Sequence, residues 1–301
     1  MSEQTEIQCG FIAILGAPNA GKSTLVNRMV GAKVSIVSPK VQTTRTRVLG
    51  ICLIKDAQLI FIDTPGVFAP KRRLDRAMVA SAWGGAADAD SILMMVDATR
   101  GVDADTRIII DKLRDQKKTA LLVINKIDLV NKEKLLTLAD ALNETELFSE
   151  IFMVSAQTGD GVSDLLDRLV ERAPSGPWMF PEDQISDMPS RLLAAEITRE
   201  KLFLQLHQEL PYETTVETEG WEERKDGSVT ISQVIYVARA GQKGIVLGKG
   251  GSKIKAIGES SRRELEELFD RRVHVKLFVK LREKWADDPE RFRDWGLDYN
   301  A

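Results

Sequence analysis

Apolar positions in the first half of the chain fall in short continuous runs, whereas those in the second half alternate with polar ones. The runs at residues 11–15, 47–54, 58–62, 91–96, 119–124 and 151–154 predict strands. Between them, apolar residues spaced three and four apart predict helices over 25–30, 74–82, 106–114, 132–142 and 162–170. Strands with no polar face must be covered on both sides. The pattern therefore predicts a mostly parallel six-stranded sheet with helices on both faces. Only Lys55-Asp56-Ala57 separates the second and third runs, too little for a crossover helix, so that pair should be an antiparallel hairpin.

Past residue 172 the pattern breaks. Pro174, Pro177, Pro181 and Pro189 fall close together and predict an interdomain linker over 173–190. A helix over 191–207 follows, then alternating stretches at 214–221 and 229–239 joined across Lys225-Asp226-Gly227. Helices around 244–247 and 252–269 come next, and then an alternating strand over 273–281. The order α-β-β-α-α-β describes a smaller α+β domain. The expected organisation is one domain over 1–172, the linker, and a second domain over 191–301 that ends in a helix.

Composition adds limits. The chain has 301 residues, 43% apolar and 29% charged, as in soluble globular proteins. No apolar run approaches the ~18 residues of a membrane span, and the polar start with Glu3 and Glu6 is unlike a signal peptide. A cytoplasmic protein is expected. Cys9 and Cys52 lack metal-ligand spacing and read as reduced core thiols, and His207 and His274 are isolated. The net charge of −3 argues against a generic nucleic-acid binder, but between Arg239 and Lys284 there are 13 Lys and Arg against 6 Asp and Glu.

The strongest chemical signal is Gly16-Ala17-Pro18-Asn19-Ala20-Gly21-Lys22-Ser23, followed by Thr24, placed between the first strand and the first helix. Glycines there let backbone N–H groups converge on a phosphate, the helix aims its positive end at it, and Lys22 adds a point charge. Ser23 is placed to hold Mg²⁺. Asp63-Thr64-Pro65-Gly66 closes the third strand, at the end where such sheets bind ligands. Asp63 would accept from Mg²⁺-bound water, and the Gly66 N–H would sense a γ-phosphate. Asn125-Lys126-Ile127-Asp128 ends the fifth strand. A carboxylate there accepts from two adjacent donors, which guanine offers and adenine does not, and such pairing discriminates by a factor of about 10⁴. Ser155-Ala156 follows the sixth strand, where the Ala156 N–H would reach the guanine oxygen.

These four motifs in order resemble the Ras-like GTPase superfamily over roughly residues 10–172. The resemblance implies a Mg²⁺-dependent GTP hydrolase with a first switch in residues 35–47, where Thr44, with Thr43 as rival, would supply a hydroxyl to the metal. One departure is plain: where relatives that orient water with glutamine carry it, after D-x-x-G, this chain has Val67. Unaided turnover should then be slow. Asn19 suggests a substitute, since the loop resembles that of GTPases in which this Asn helps hold K⁺ against the phosphates.

In the second domain, Gly248-Lys249-Gly250-Gly251 sits between two helices, with Lys253 and Lys255 just beyond. Gly241-Gln242-Lys243-Gly244 matches the same short pattern, so it is the element order and the lysines that single out Gly248 to Gly251. This resembles a type II KH domain, whose glycine loop approaches the phosphates of about four unstacked nucleotides. Ile231, Val237, Ile245, Ile254 and Val275 read as core before base contacts, and Trp285, Phe292, Trp295 and Tyr299 as staples for a terminal helix.

A Ras-like domain with this loop and Thr43-Thr44-Arg45, joined to a KH domain, resembles the Era family of ribosome-assembly GTPases over essentially the whole chain. That implies GTP and GDP as ligands, and 16S rRNA near its 3′ end and the 30S subunit as partners. It also implies a cytoplasmic site with peripheral contact at the inner membrane face; no obligate protein partner is evident. Two rival classes remain at this level: an RNA-binding structural protein with a vestigial nucleotide site, and an ATP-dependent kinase, against which Asp128 speaks.

Overall fold

The computed structural model describes residues 7–206 and 210–301. It divides into two compact units. The first takes the described residues up to Val37, then Thr44–Asp187 and Phe292–Ala301; the second takes Ser38–Thr43 and Met188–Arg291.

In the first unit, β1 (Gln8–Gly16), β2 (Val48–Ile54), β3 (Ala57–Asp63), β4 (Ser91–Asp97), β5 (Ala120–Asn125) and β6 (Phe148–Val154) form one sheet in the order β2-β3-β1-β4-β5-β6. All neighbours are parallel except β2 with β3, the antiparallel hairpin, which turns at Lys55-Asp56 with Lys55 in the left-handed region. Alternate residues of each buried strand supply two separate cores. Ala13, Leu15, Ile60, Ile62, Met94 and Ile124 face one side; Ile12, Ile14, Phe61, Leu93 and Val123 face the other. This two-sided burial is what the unbroken apolar runs required.

The helices are α1 (Lys22–Val30), α2 (Arg73–Asp88), α3 (Ala104–Asp115), α4 (Lys132–Asn143) and α5 (Val162–Arg172). Side-chain caps set two of their starts: Asp103 accepts from the Thr106 N–H at 2.8 Å, and Asn131 from the Lys134 N–H at 3.1 Å. α1 begins three residues ahead of its apolar stripe because Gly21, at φ 100°, turns the chain into the helix there. A Cβ at Gly21 would lie 2.2 Å from the Asn125 amide nitrogen, so no larger residue fits.

The proline-rich stretch differs from a free linker. Gln58 on β3 accepts from the Met179 and Phe180 N–H groups at 2.8 and 3.0 Å, and the Ile51 N–H donates to Ile185 O at 2.9 Å. Prolines remove donors but leave these intervening amides to pair with the sheet, so the stretch through Asp187 packs with the first unit.

The second unit contains α6 (Ser190–Gln205), β7 (Thr214–Glu223), β8 (Val229–Val237), α7 (Ala240–Leu247), α8 (Ser252–Phe269) and β9 (Val273–Leu281). The expected helix end at His207 lies outside the described residues. The sheet runs β7-β8-β9, antiparallel and then parallel, and its core joins Ala195, Leu202, Val216, Ile235, Val237, Val246, Ile257 and Val279. The expected terminal helix is short: a 3-10 turn at Trp285–Asp287 precedes α9 (Pro289–Asp294). Trp285 is buried in the second unit, its indole donating to Glu213 O at 3.0 Å, whereas Phe292 is buried edge-to-face on Tyr299. The last ten residues thus belong to the first unit, not to the second as the sequence suggested. Among the described residues, no helix is long and apolar enough to cross a membrane.

Candidate functional site

The carboxyl ends of β1, β3, β4, β5 and β6 lie along one edge of the first sheet: β1 ends in Gly16, β3, β4 and β5 end in Asp63, Asp97 and Asn125, and Ser155 follows β6. Parallel register brings Ile14 beside Asp63, Gly16 beside Met95, and Asp97 beside Asn125. From this edge the loop Gly16 to Gly21 leads into α1. Asn19 sits in the left-handed region at φ 65°, an uncommon conformation for a residue with a side chain.

Three hydroxyls and one carboxylate converge beside the loop. Ser23 Oγ donates to Asp63 Oδ2 at 2.7 Å and lies 2.9 Å from Thr44 Oγ1, which is itself 3.4 Å from the same carboxylate oxygen. Ser35 Oγ donates to Asp63 Oδ2 at 2.6 Å. Asp63 is fully buried and its other oxygen, Oδ1, has no hydrogen-bond partner. Burial raises its carboxyl above the ordinary range, against the hydrogen bonds from Ser35, Ser23 and Thr44 and the charge of Lys22. An orphaned carboxylate oxygen beside two hydroxyls is an all-oxygen donor set, the kind a hard cation such as Mg²⁺ takes. Thr43 lies elsewhere: its hydroxyl bonds Lys40 O and Ser38 Oγ, both at 2.7 Å, within its own loop.

Lys22 is buried, and its ammonium donates to the Gly16 and Ala17 carbonyls at 3.1 Å each. Burial lowers it to about 8, against the pull of Asp63. Such a cation, held without a full counter-charge, is primed for an anion. Gly66 follows on the far side of the loop, and the Val67 N–H donates to Gly16 O at 3.1 Å. The Val67 side chain is fully buried in the core and cannot reach a water molecule at the loop.

At the other end of the sheet edge, Asn125 ties two loops together. Its amide donates to Ala20 O at 2.8 Å and its oxygen accepts from the Ala156 N–H at 2.9 Å. The N–H expected to meet a guanine oxygen is thus engaged by Asn125 here. Ser155 is buried, and its hydroxyl accepts from the Thr158 N–H at 3.1 Å, shaping the same loop. Asp128, in a 3-10 turn at Ile127–Leu129, is exposed. Lys126 reaches Asp97 at 2.5 Å. Burial pushes the Asp97 carboxyl up, but the hydrogen bonds from Lys126 and Thr99 outweigh it and hold it below the ordinary range.

Four residues of this constellation carry no sequence motif. Ser35 completes the shell around Asp63; Asn27 fixes Ser35 through its N–H at 2.9 Å and its O at 2.7 Å; Asp97 seats Lys126; and Arg100 donates to Pro18 O at 3.1 Å. Asp97 alone was findable, as an acid ending a predicted strand. The others needed the fold: Ser35 and Arg100 meet partners 28 and 82 residues away, and Asn27 enters the site only through Ser35.

In the second unit, Gly248 ends α7 at φ 73°, and Gly250 and Gly251 follow at 59° and 79° before α8 begins. A Cβ on Gly248 would lie 2.7 Å from the Lys253 Cβ. Lys249, Gly250 and Lys255 are exposed, and Lys253 is half-buried. Beside the loop, a groove of about 410 Å³ is lined by Ile254, Lys255, Gly258, Arg262, Val275 and Leu277. Of the five apolar candidates, Ile231 and Val237 are core, Ile254 and Val275 line the groove, and Ile245 is exposed. The competing glycine pattern at Gly241 to Gly244 lies inside α7 and forms no loop.

Comparisons with known proteins agree with this geometry. Residues 11–126 match the family described as 50S ribosome-binding GTPase, and residues 209–286 match the KH domain family. The chain is 61% identical over 290 residues to the GTPase Era of Sinorhizobium medicae, covering 96% of this chain and 94% of that protein. It is 62% identical to that of Agrobacterium fabrum, covering 96% and 92%. Among solved structures, Era in complex with MgGDPNP and nucleotides 1506–1542 of 16S ribosomal RNA superposes with a TM-score of 0.92 at 39% identity. It covers 96% of this chain and 99% of that one.

Proposed function

The chain belongs to the Era family of GTPases, and from that premise we propose that it is a GTP-switched RNA-binding protein acting in assembly of the small ribosomal subunit. The observation that carries the proposal is the convergence of Ser23, Thr44 and Asp63 beside the buried cation of Lys22. Lys22 and the N–H groups of the loop hold the β- and γ-phosphates of GTP, while Asn125 and Asp128 select guanine. Ser23, Thr44 and Asp63 would hold Mg²⁺, which when bound neutralises charge on the phosphate oxygens. Thr44 lies in the stretch that follows the γ-phosphate, so GTP and GDP favour different arrangements of residues 35–47 and of the loop after Gly66.

With Val67 turned into the core, no side chain after Gly66 orients the attacking water, and Asn19 takes a compensating part by helping to hold K⁺ against the phosphates. Turnover is expected to be faster in K⁺ than in Na⁺ at equal ionic strength; equal rates would remove this role for Asn19.

The basic glycine loop, Gly248, Lys249, Gly250 and Gly251 with Lys253 and Lys255, grips unpaired RNA through its backbone phosphates. The partner is 16S rRNA near its 3′ end, within the 30S subunit, by analogy with the relative solved with that RNA. The protein acts where ribosomes assemble, in the cytoplasm; contact with the inner membrane face would be peripheral. The deciding experiment measures affinity for a 3′-terminal 16S rRNA fragment with a non-hydrolysable GTP analogue and with GDP. Tighter binding with the analogue is expected, and identical affinities would mean that the two activities run independently.

A further inference from the structure

α1 carries more than the phosphate contacts at its start. Two adjacent residues near its end, Asn27 and Arg28, reach the two loops that flank the nucleoside half of the site. Asn27 Oδ1 accepts from the Val34 and Ser35 N–H groups at 2.9 Å each. Arg28 turns the other way. Its Nε donates to Ala156 O at 3.2 Å, and a terminal guanidinium nitrogen donates to Gln157 O. Thr24, Arg28, Ala156 and Gln157 line a cleft of about 380 Å³ there.

We infer that Arg28 is the positioning residue of the base-recognition loop, a clamp on its carbonyl side that sets guanine affinity without touching the reacting phosphates. The inference rests on the guanine reading above. In a trans peptide the C=O and the following N–H point in opposite directions. By drawing the Ala156 carbonyl toward α1, Arg28 turns the Gln157 N–H to the loop's opposite side. By drawing the Gln157 carbonyl the same way, it turns the Thr158 N–H toward Ser155 Oγ, where that N–H is found. Asn125 holds the same loop from the amide side, through the Ala156 N–H. The loop is therefore gripped from both sides: by a neutral amide tied to the phosphate loop, and by a cation on the helix that follows that loop. A guanidinium suits the second place because its fork can serve two successive carbonyls.

The loop that carries the Ala156 N–H is thus held on its carbonyl side by Arg28, while the phosphates are met by Lys22 and by backbone groups that Arg28 does not touch. The full chain and its Arg28→Ala and Arg28→Lys variants should be titrated with GDP, inosine diphosphate, ADP and pyrophosphate. Arg28→Ala is expected to weaken GDP and inosine diphosphate, which share the 6-oxo group, by about tenfold. Pyrophosphate should change by less than about twofold, and Arg28→Lys should recover part of the loss, since one ammonium can serve one carbonyl. In turnover assays KM for GTP should rise while kcat at saturation stays put. Unchanged GDP affinity in Arg28→Ala, or an equal loss for pyrophosphate, would overturn the clamp, the second because it marks general damage to α1. If the wild-type chain itself bound ADP as tightly as GDP, the guanine reading would fail instead, and that arm separates the two failures.

Discussion

The nucleotide site and the glycine loop both bind phosphate, yet they are built in opposite ways. Around Asp63 the groups are buried or half-buried and set in place: Ser23, Ser35 and Thr44 crowd one carboxylate oxygen, and Lys22 rests on two carbonyls. The loop at Gly248 to Gly251 keeps its shape through three positive φ angles and one Gly251 N–H to Gly248 O bond of 3.1 Å, with Lys249 and Gly250 open to solvent. The first arrangement fits a ligand of fixed shape whose charge changes during reaction, where groups set in advance avoid reorganisation. The second fits a flexible strand, where a bare backbone lets many nucleotides lie close and charge gives affinity without sequence preference.

That contrast breaks most sharply at Lys22. Removing it with Lys22→Ala should lower GTP hydrolysis by roughly 10³-fold, as loss of a preorganised charge on a transferring phosphoryl group does. RNA affinity without nucleotide should stay within about twofold, because the residues of the glycine loop are untouched. Single-turnover hydrolysis and filter binding of a 16S rRNA fragment read the two effects. Turnover that survived unchanged would sink the enzyme reading. A smaller effect sharpens the picture within the first site. Thr44→Ala should reduce kcat by roughly 10²-fold and raise the Mg²⁺ concentration needed for half-maximal rate, whereas Thr43→Ala should fall within about twofold. The reason is positional: Thr44 Oγ1 lies 2.9 Å from Ser23 Oγ, and Thr43 spends its hydroxyl on Lys40 and Ser38. Equal losses from the two changes would contradict this.

The same two regions show what a sequence makes legible. Buried strands advertise themselves through unbroken apolar runs, so β1 to β6, the hairpin at Lys55, and the placement of Asp63 and Asn125 at strand ends and of Lys22 at the start of α1 could be read directly. The order of elements in the second unit was likewise legible from alternation. What escaped was set by contacts far apart in sequence. Asn27 and Ser35 look like ordinary polar residues until the chain folds Ser35 onto Asp63. The prolines of the stretch before Asp187 suggest a free linker, yet the amides between them pair with Ile51 and Gln58, 121 to 134 residues away. Nor does the aromatic content of the terminal segment say that Trp285 and Phe292, seven residues apart, are buried in different units. Val67 carried a correct warning that no glutamine stands after Gly66; only the fold shows that it fills the core instead.

The mildest test concerns the loop whose binding is electrostatic. Lys253 is half-buried, its Cβ packed where a side chain on Gly248 would have to sit, so its stem helps to shape the turn while its ammonium remains available to phosphate. Lys253→Gln keeps the stem and removes the charge. If that charge neutralises one phosphate, RNA affinity should fall by severalfold at moderate salt, and the slope of log affinity against log salt should shrink by about one. GTP hydrolysis should not change. The informative quantity is the slope rather than the affinity, because a distorted loop would weaken binding equally at every salt concentration and leave the slope as it was. An unchanged slope would therefore assign Lys253 to packing alone and leave Lys249 and Lys255, both exposed, as the cations that meet the RNA.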